Sequence, residues 1–289
     1  IKFKIIVSGQ VKVFFKDIVG YTGPIKPDIS FKEKINRSSL LHFAFWEIRT
    51  FFVSLVKLRK EFRGLNKKNS YFIICGDPVS TSIGATVAWL YGLKIIHIES
   101  GDMSSNLLEP FPEEICRNIN IRLADVLFPP GKWAENNLKH IHKTKINTQY
   151  NTLVESFWWF MKKRLKTRKE LKHKKYYILI LHRQEHVLFG KNWSKKTLNM
   201  VIKNADPNLT CVLFNHPLSI EIVKSLRLGS KIRNKIVFME PVSYPEFLKL
   251  MKDSEFIATD GATNQLEAYL MGKPCLILRN FTEQIEGLG

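Results

Sequence analysis

The sequence predicts an α/β fold of two domains, each built on a parallel β-sheet with helices on both faces. Short apolar segments rich in β-branched residues alternate with longer segments of helical periodicity, which is the pattern of parallel sheets. The chain has 289 residues and is 45% hydrophobic, which is enough for two medium-sized cores. We therefore expect one domain over residues 1–156 and a second over residues 157–289, divided near a basic segment.

The predicted strands are short apolar runs that end in polar or glycine-containing segments. They lie at 3–7, 71–75, 94–98 and 125–128 in the first domain, and at 176–181, 210–214, 235–239, 255–258 and 274–278 in the second. Helices are expected between them. The most apolar helical segment, 40–56, is interrupted by His42, Glu47 and Arg49, so we predict an amphipathic helix and not a membrane span.

The chain is strongly basic, with a formal net charge of +19 at pH 7. Such an excess favours a polyanionic partner, an anionic membrane surface or a phosphate-bearing small ligand, and charge alone does not select among them. The densest basic run, residues 161–175, fits a solvated helix face equally well. We expect a phosphate-bearing small ligand, no nucleic acid and no stable membrane insertion.

The four cysteines, Cys75, Cys116, Cys211 and Cys275, show no CxxC spacing. Three of them lie in apolar runs that we predict to be buried strands. This usage predicts reduced thiols and a cytoplasmic location.

Polar residues follow directly after the predicted strands, and this pattern indicates a ligand site. The carboxyl ends of parallel strands meet at one edge of a sheet, where open α/β sheets bind ligands. Asp77 and Glu99 each come after a strand, and Glu113 and Glu114 begin a helix after Pro112. Carboxylates gathered in a poorly hydrated site repel one another, so one can act as an acid and another as a base. The alternative is that Asp77 and Glu113 only cap helices.

The second domain contains segments that could bind phosphate. Residues 182–185 (HRQE) follow an apolar strand and provide donors, although a His-Arg pair is also common as a surface element. Residues 259–267 (TDGATNQLE) read as a strand end, a small-residue turn and a helix start. Backbone N–H groups of such a turn bind phosphate oxygens, and Glu267 could reach a ribose hydroxyl, or the turn could serve only to pack helix against strand. His216 is by default a structural histidine.

Taken together, these segments resemble the non-hydrolysing UDP-N-acetylglucosamine 2-epimerase family, and the matches follow the family order along the chain. Residues 76–81 (GDPVST) are similar to the family's GD-x-x-S/T turn, 97–101 (HIESG) to HVEAG, and 112–118 (PEEICRN) to PEE-x-NR. In the second half, the similar segments are 182–185 to HRRE, 259–268 to TDSGGIQEEA, 272–274 to GKP, and 278–287 to LRDTTERPEG.

The resemblance implies a GT-B-like architecture, with two Rossmann-like domains whose parallel sheets face a central cleft. It implies an isomerase that eliminates UDP from UDP-N-acetylglucosamine and adds it back to a 2-acetamidoglucal, giving UDP-N-acetylmannosamine for surface polysaccharide precursors. It also implies a UDP-sugar ligand, a homodimer and no metal or nicotinamide cofactor. Carried over by position, the catalytic residues are Asp77, Glu99, Glu113 and His182. The implied substrate-binding residues are Arg117, Arg183, His216, Gly261, Ala262, Thr263, Glu267 and Arg279.

The sequence departs from the family pattern at several positions. Residues 261–263 are GAT where the family has SGG, which alters the expected diphosphate turn, and Met103 stands where the family has an arginine. The chain opens on what resembles the family's second strand and stops before its closing helices. We therefore expect it to lack the first strand with its basic loop, and the last helices. The expected catalytic positions are all retained, which favours a divergent enzyme.

Four alternatives stay open at this point. A hydrolysing epimerase would release N-acetylmannosamine and UDP from the same intermediate. A GT-B glycosyltransferase would bind a UDP-sugar without needing the three carboxylates. A catalytically silent UDP-sugar-binding protein would fit the altered diphosphate turn, and a nucleic-acid-binding protein would fit the charge alone.

Overall fold

The computed structural model describes residues 2–8, 27–31, 40–162, 169–183, 186, 190–215 and 217–288. The chain forms two compact units. The first unit comprises Ile1–Asp102 and Glu113–Tyr150, and the second comprises Met103–Pro112 and Asn151–Gly289. Both units are built on parallel sheets with intervening helices, so the predicted α/β class is confirmed. The predicted boundary after residue 156 stays a prediction.

The first unit contains one four-stranded parallel sheet and a short parallel pair. The pair is β1 (Ile6–Val7) with β2 (Ile29–Ser30), and the sheet consists of β3 (Tyr71–Cys75), β4 (Lys94–Ile98), β5 (Val126–Phe128) and β6 (Thr144–Lys145), in that order. The helices are α1 (Leu40–Arg63), α2 (Val79–Leu90), α3 (Glu113–Leu123) and α4 (Lys132–Asn137). Strand ends of β3 and β4 are neighbours, since Cys75 is in register with Ile98.

The second unit contains a five-stranded parallel sheet. Its strands are β7 (Tyr176–Ile180), β8 (Thr210–Phe214), β9 (Ile236–Met239), β10 (Ile257–Thr259) and β11 (Cys275–Ile277). Its α-helices are α5 (Leu153–Met161), α6 (Lys191–Asn204), α7 (Pro217–Ser225), α8 (Ser230–Arg233), α9 (Tyr244–Asp253) and α10 (Ala262–Met271). The strand order is β11-β10-β7-β8-β9, with β7 at the centre. Strands β8 and β9 lie on one side of β7, and β10 and β11 lie on the other, so the strand order reverses between β7 and β10. Open sheets bind ligands at such a switch point.

Strand β7 shows why this sheet is buried on both faces. Tyr177 and Leu179 point into one hydrophobic cluster, while Tyr176 and Ile178 point into another, and each is at most 2% exposed. Because neighbouring side chains of a strand point to opposite faces, a continuous apolar run requires cover on both sides. This cover confirms the interpretation of the apolar run as a parallel central strand.

Every predicted strand has a counterpart, and two further strands were not predicted. Those two, β2 and β6, are two residues long and contain Ser30 and Lys145, so they carry no apolar run that sequence patterning could detect. The amphipathic helix predicted over 40–56 is confirmed as part of α1, which continues to Arg63. Within the described residues, none of the helices combines the length and apolar character needed to cross a bilayer.

Gly101, just after β4, is expected to tolerate no side chain. Its φ of +94° lies in the left-handed region, and a Cβ atom would stand 2.4 Å from the carbonyl oxygen of Ala134 and 2.9 Å from the Leu138 side chain. We expect Gly101→Ala to lower the free energy of unfolding by roughly 3 kcal/mol or more in urea titrations. Gly229→Ala is the control, because a Cβ there meets nothing within 4 Å; equal losses for both variants would contradict the packing argument.

Candidate active site

The turn after β3 presents Asp77 at the carboxyl end of the first sheet. Gly76 adopts a φ of +65°, and its N–H donates to the carbonyl of Ile98 at 3.0 Å, which ties the ends of β3 and β4 together. Its carbonyl accepts from His97 Nε2 at 3.0 Å and Asn120 Nδ2 at 3.3 Å. Burial lowers the pKa of His97 to about 4, so its ring is neutral and holds the turn as a hydrogen-bond donor.

Asp77 directly precedes Pro78, the N-cap residue of α2. The Asp77 carboxylate pairs with Arg117 of α3, whose side chain is 4% exposed. Arg117 also pairs with Glu114 on its own helix, so one buried guanidinium bridges two carboxylates.

Glu99 lies beside this turn in a strained conformation. Its φ is +62°, in the left-handed region that residues other than glycine rarely adopt and that is frequent at functional sites. A Cβ built on Gly76 would lie 3.5 Å from Glu99 Oε2, so the Glu99 carboxylate faces the Gly76 turn. The strand ends therefore bring Asp77 and Glu99 together, as predicted.

The negative charge of these carboxylates contributes to raised pKa values of two neighbouring thiols. Burial raises the pKa of Cys75 to about 12, with Glu99 and Asp77 adding to the effect. Burial likewise raises the pKa of Cys116 to about 11, with Glu113 and Asp77 among the charges that contribute. Asp77 thus lies beside Glu99 at the strand ends and pairs with Arg117, and Glu113 begins α3, the helix that carries Arg117. Such a cluster can remove and supply protons on a bound carbon acid.

In the second unit, the switch point between β7 and β10 carries His182 and Asp260. The carboxylate of Asp260 is fully buried and accepts the backbone N–H groups of His182 and Arg183 at 2.9 and 2.8 Å. The His182 side chain is 50% exposed, with Nδ1 3.0 Å from Asp260 Oδ1. His182 is therefore directed outward from the sheet edge, where it can donate to an anion.

Helix α10 begins at this edge with an uncapped N-terminus. Gly261 is its N-cap residue, no side chain caps it, and its first turn contains no acidic residue. The first-turn N–H groups at Ala262 and Thr263 and the positive end of the helix dipole can bind an anion there. The altered GAT turn thus keeps an uncapped helix N-terminus, although Ala262 and Thr263 stand where the family pattern has its two glycines.

Glu267 lies within α10 and is 1% exposed. Its Oε2 accepts from Asn264 Nδ2 at 3.1 Å, the Tyr244 hydroxyl lies near the carboxyl, and the buried Oε1 makes no hydrogen bond of standard geometry among the described residues. Burial raises the pKa of Glu267 to about 7, and Asn264 and Tyr244 offset part of that rise. A buried carboxyl oxygen without such a hydrogen bond is suited to accept a ligand hydroxyl.

Two predicted substrate-binding arginines are engaged with protein acceptors. Arg183 Nη2 donates to Glu283 Oε1 at 2.6 Å, and Arg279 Nη1 donates to the backbone carbonyl of Asp260 at 3.0 Å. The Arg279 side chain is 2% exposed and also contacts Gln265. These contacts stabilise the switch point, and a direct contact of either arginine with substrate stays a prediction.

A cavity of about 290 Å³ opens at the carboxyl ends of β7 and β8. Its walls are largely apolar, and His182 and Asn264 supply polar groups at its edge. This combination of an apolar cavity with a few polar groups is typical of small-molecule sites. The lining residues are Leu179, Ile180, Leu181, His182, Phe214, Asn215, Ser219, Pro241, Val242, Phe247 and Asn264.

The sequence identified the carboxylates and His182, but it missed their supporting residues. The sequence analysis assigned no function to three of them, Asn120, Asp260 and Tyr244. Asp260 directly follows an apolar strand, which is the same pattern that singled out Asp77. The first unit contains Asp77, Glu99, Glu113 and Arg117, and the second contains His182, Arg183, Gly261, Ala262, Thr263, Glu267 and Arg279. His216 lies outside the described residues.

Comparison with known proteins gives consistent matches. The family model for UDP-N-acetylglucosamine 2-epimerase matches residues 58–289. The UDP-N-acetylglucosamine 2-epimerase of Methanococcus maripaludis is 33% identical over 237 residues, which cover 78% of this chain and 64% of that relative. The chain therefore spans less than two thirds of the length of this curated relative.

Solved structures are also similar. S. aureus MnaA, solved with UDP, has a TM-score of 0.78 at 25% identity, covering 98% of this chain and 73% of the other. Methanocaldococcus jannaschii UDP-GlcNAc 2-epimerase, in complex with UDP-GlcNAc and UDP, has a TM-score of 0.77 at 25% identity, covering 100% and 79%. These matches confirm the resemblance found in the sequence and the GT-B-like fold with its two Rossmann-like units.

Proposed function

This chain belongs to the UDP-N-acetylglucosamine 2-epimerase family, and on that premise we propose that it interconverts UDP-N-acetylglucosamine and UDP-N-acetylmannosamine for surface polysaccharide precursors. The observation that carries the proposal is the placement of Asp77 and Glu99 just after the adjoining ends of β3 and β4, with Asp77 paired to Arg117 of the helix that Glu113 begins. A proton bound to C2 of a sugar is only weakly acidic, so its removal requires a positioned base.

The proposed reaction has two halves. A carboxylate of the first unit takes the C2 proton as the C1–O bond breaks, so that a C1=C2 double bond forms and UDP leaves with the bonding electron pair. A second carboxylic acid then protonates C2 on the other face while UDP adds back to C1. Two groups are therefore needed, one that takes the C2 proton and one that returns a proton to the other face.

We propose that the second unit binds the nucleotide. His182 and the N-terminus of α10 would bind the diphosphate, because charge develops on it as the C1–O bond breaks. Glu267 would accept a ribose hydroxyl at Oε1, and the cavity beside β7 and β8 would hold the base. Arg183 and Arg279 are hydrogen-bonded to protein acceptors. We therefore propose that they stabilise this edge of the sheet and do not bind the nucleotide directly.

The proposal is tested by incubating the purified chain with UDP-N-acetylglucosamine in deuterated water and following C2 by proton NMR. Loss of the C2 proton signal with appearance of UDP-N-acetylmannosamine is the expected result. Release of N-acetylmannosamine with UDP would replace the proposal with a hydrolysing epimerase. UDP binding without exchange would leave a silent UDP-sugar-binding protein, and absence of both would reject the functional assignment.

We further propose that the chain forms a homodimer through α1. This helix has a buried face that includes Trp46 and Leu58, yet a second apolar row remains exposed. The row follows the helical spacing of three to four residues and consists of Phe45, Ile48, Phe52 and Val56, which are 58 to 75% exposed. Contiguous exposed apolar rows mark interaction surfaces, and a second copy would bury this one.

Light scattering after size-exclusion chromatography tests the dimer. The wild-type chain is expected to have twice the mass of the 33.6 kDa monomer, and Phe52→Glu is expected to shift it to the monomer because a buried charge disfavours the interface. Met200→Glu, at an exposed apolar residue on α6, is the control and should leave the mass unchanged. A monomeric wild type, or a dimeric Phe52→Glu variant, would contradict the assignment.

We propose a cytoplasmic location on the basis of the cysteines. All four are free thiols, two of them buried, and reduced thiols are typical of intracellular enzymes. Fractionation of the native host with thiol labelling would test this location.

A further inference from the structure

Asp260 occupies the switch point of the second sheet. It follows β10 directly, and its backbone N–H donates to the carbonyl of Ile180 at 3.3 Å, so it lies against the end of β7. Its exposed fraction is 0%. A fully buried carboxylate is costly unless donors surround it, so its partners define its role.

The donors to Asp260 come mainly from the segment after β7. Oδ2 accepts the backbone N–H groups of His182 and Arg183, and His186 Nδ1 lies 3.0 Å from the same oxygen. Burial alone would raise the pKa of Asp260, but hydrogen bonds from His182 and His186 hold it well below its usual range. Asp260 is therefore an anion that fixes the backbone on which His182 stands.

The other carboxylate oxygen faces the His182 ring. Nδ1 of His182 lies 3.0 Å from Asp260 Oδ1, and because an ionised carboxylate can only accept, a hydrogen bond between the two requires a proton on Nδ1. The ring also lies against Gly261, where a Cβ atom would come within 3.2 Å of His182 Cε1. Packing against Gly261 and the contact with Asp260 together fix the orientation of the ring.

The remaining charged groups near Asp260 belong to the loop after β11. Arg279 donates to the backbone carbonyl of Asp260, and Glu283 accepts from Arg183 and lies 3.8 Å from Arg279. These groups pair with one another. Among the described residues, the two histidines and the backbone turn contact the carboxylate of Asp260, and of the two histidines His182 is the exposed one.

We infer that Asp260 is the positioning residue of His182: it fixes the ring and places the proton on Nδ1, so that Nε2 faces the leaving diphosphate. This inference rests on the proposed function for the role of His182, but the contact between the two side chains does not. A carboxylate that orients a histidine in this way also favours its protonated form, which is the form that best stabilises a departing phosphate.

The first test leaves Asp260 unchanged. In the 289-residue chain labelled with ¹⁵N-histidine, the His182 signals, identified by their loss in His182→Asn, are expected to show a proton on Nδ1 at every pH. A neutral ring protonated on Nε2 would overturn the inference. This readout does not depend on turnover, so it stands even if C2 exchange is absent and the proposed function fails.

The second test is a double-mutant cycle on the C2 exchange rate. Asp260→Asn is expected to lower kcat by about a hundredfold, with a smaller change in KM, as is His182→Asn. The double variant should be no slower than His182→Asn by more than about twofold, because the two residues act as one unit. Multiplied effects would overturn the inference.

A control separates positioning from damage to the fold. Asp253→Asn, in the same unit, removes an exposed pair with Lys249 and should leave both the rate and the His182 spectrum unchanged. If Asp260→Asn does not fold, the wild-type spectrum still decides the inference.

Discussion

Replacing Asp77 by asparagine is expected to lower the rate of C2 deuterium exchange by at least about a hundredfold while UDP affinity stays within about twofold of wild type. The asparagine side chain would keep the size of the original but could neither accept nor hold the transferred proton. The structure places Asp77 in the first unit, near Glu99, whereas the residues proposed for nucleotide binding belong to the second. The variant should therefore lose proton transfer at C2 and keep its affinity for UDP.

The Asp77→Asn experiment combines exchange kinetics with calorimetric titration of UDP. Glu61→Gln is the matched control, because Glu61 is a carboxylate of the same unit that pairs with Lys4 away from the strand ends. Urea unfolding verifies that the loss of the Asp77–Arg117 pair leaves the variant folded, since Arg117 retains Glu114. Exchange at the wild-type rate in a folded Asp77→Asn variant would remove Asp77 from the chemistry.

The carboxylate cluster could be predicted because its signal is local. Asp77 and Glu99 directly follow apolar runs, and parallel strands bring such positions to one edge. Supporting residues are different, because their contacts join distant parts of the chain. His182 and Asp260 are 78 residues apart, and the register of β7 with β10 that unites them follows from the strand order, which the sequence does not reveal.

The placement of residues 103–112 was also beyond local patterning. Met103–Pro112 belongs to the second unit although the segments on either side, ending at Asp102 and beginning at Glu113, belong to the first. Composition marks no such crossing. The second apolar face of α1 could not be predicted for a related reason. Periodicity identifies one apolar stripe that is buried, whereas the exposure of the row through Phe45 and Phe52 depends on which parts of the protein pack against the helix.

Replacing Glu267 by glutamine is expected to stabilise the fold and weaken nucleotide binding. Burial raises the pKa of Glu267, a residue of α10, from 4.5 to about 7, because its charged form is poorly solvated in the protein interior. The folded state therefore holds this proton more tightly than the unfolded chain does. Stability from this group is complete below the unfolded pKa and is lost as the pH rises through about 7.

Glutamine is uncharged at every pH and so resembles the neutral carboxyl. The change in the free energy of unfolding therefore follows from the pKa rise of Glu267. A pKa rise from 4.5 to about 7 corresponds to about 3 kcal/mol once the group is fully ionised. In urea titrations, Glu267→Gln should differ little from wild type near pH 4 and exceed it by about 3 kcal/mol near pH 8. The same difference at both pH values would contradict the assignment of a penalised buried carboxylate.

The expected loss of affinity gives the reason why an enzyme would keep this costly charge. A hydroxyl that donates to a buried carboxylate gains a charge-assisted hydrogen bond of about 1.5–3 kcal/mol, so Glu267→Gln should weaken UDP binding by about tenfold or more near pH 8. Glu255→Gln, an exposed acid just before β10, is the control and should leave the titration of UDP unchanged. Unaltered UDP affinity in Glu267→Gln would show that Oε1 does not meet the nucleotide, and the buried charge would then need a partner within the protein itself.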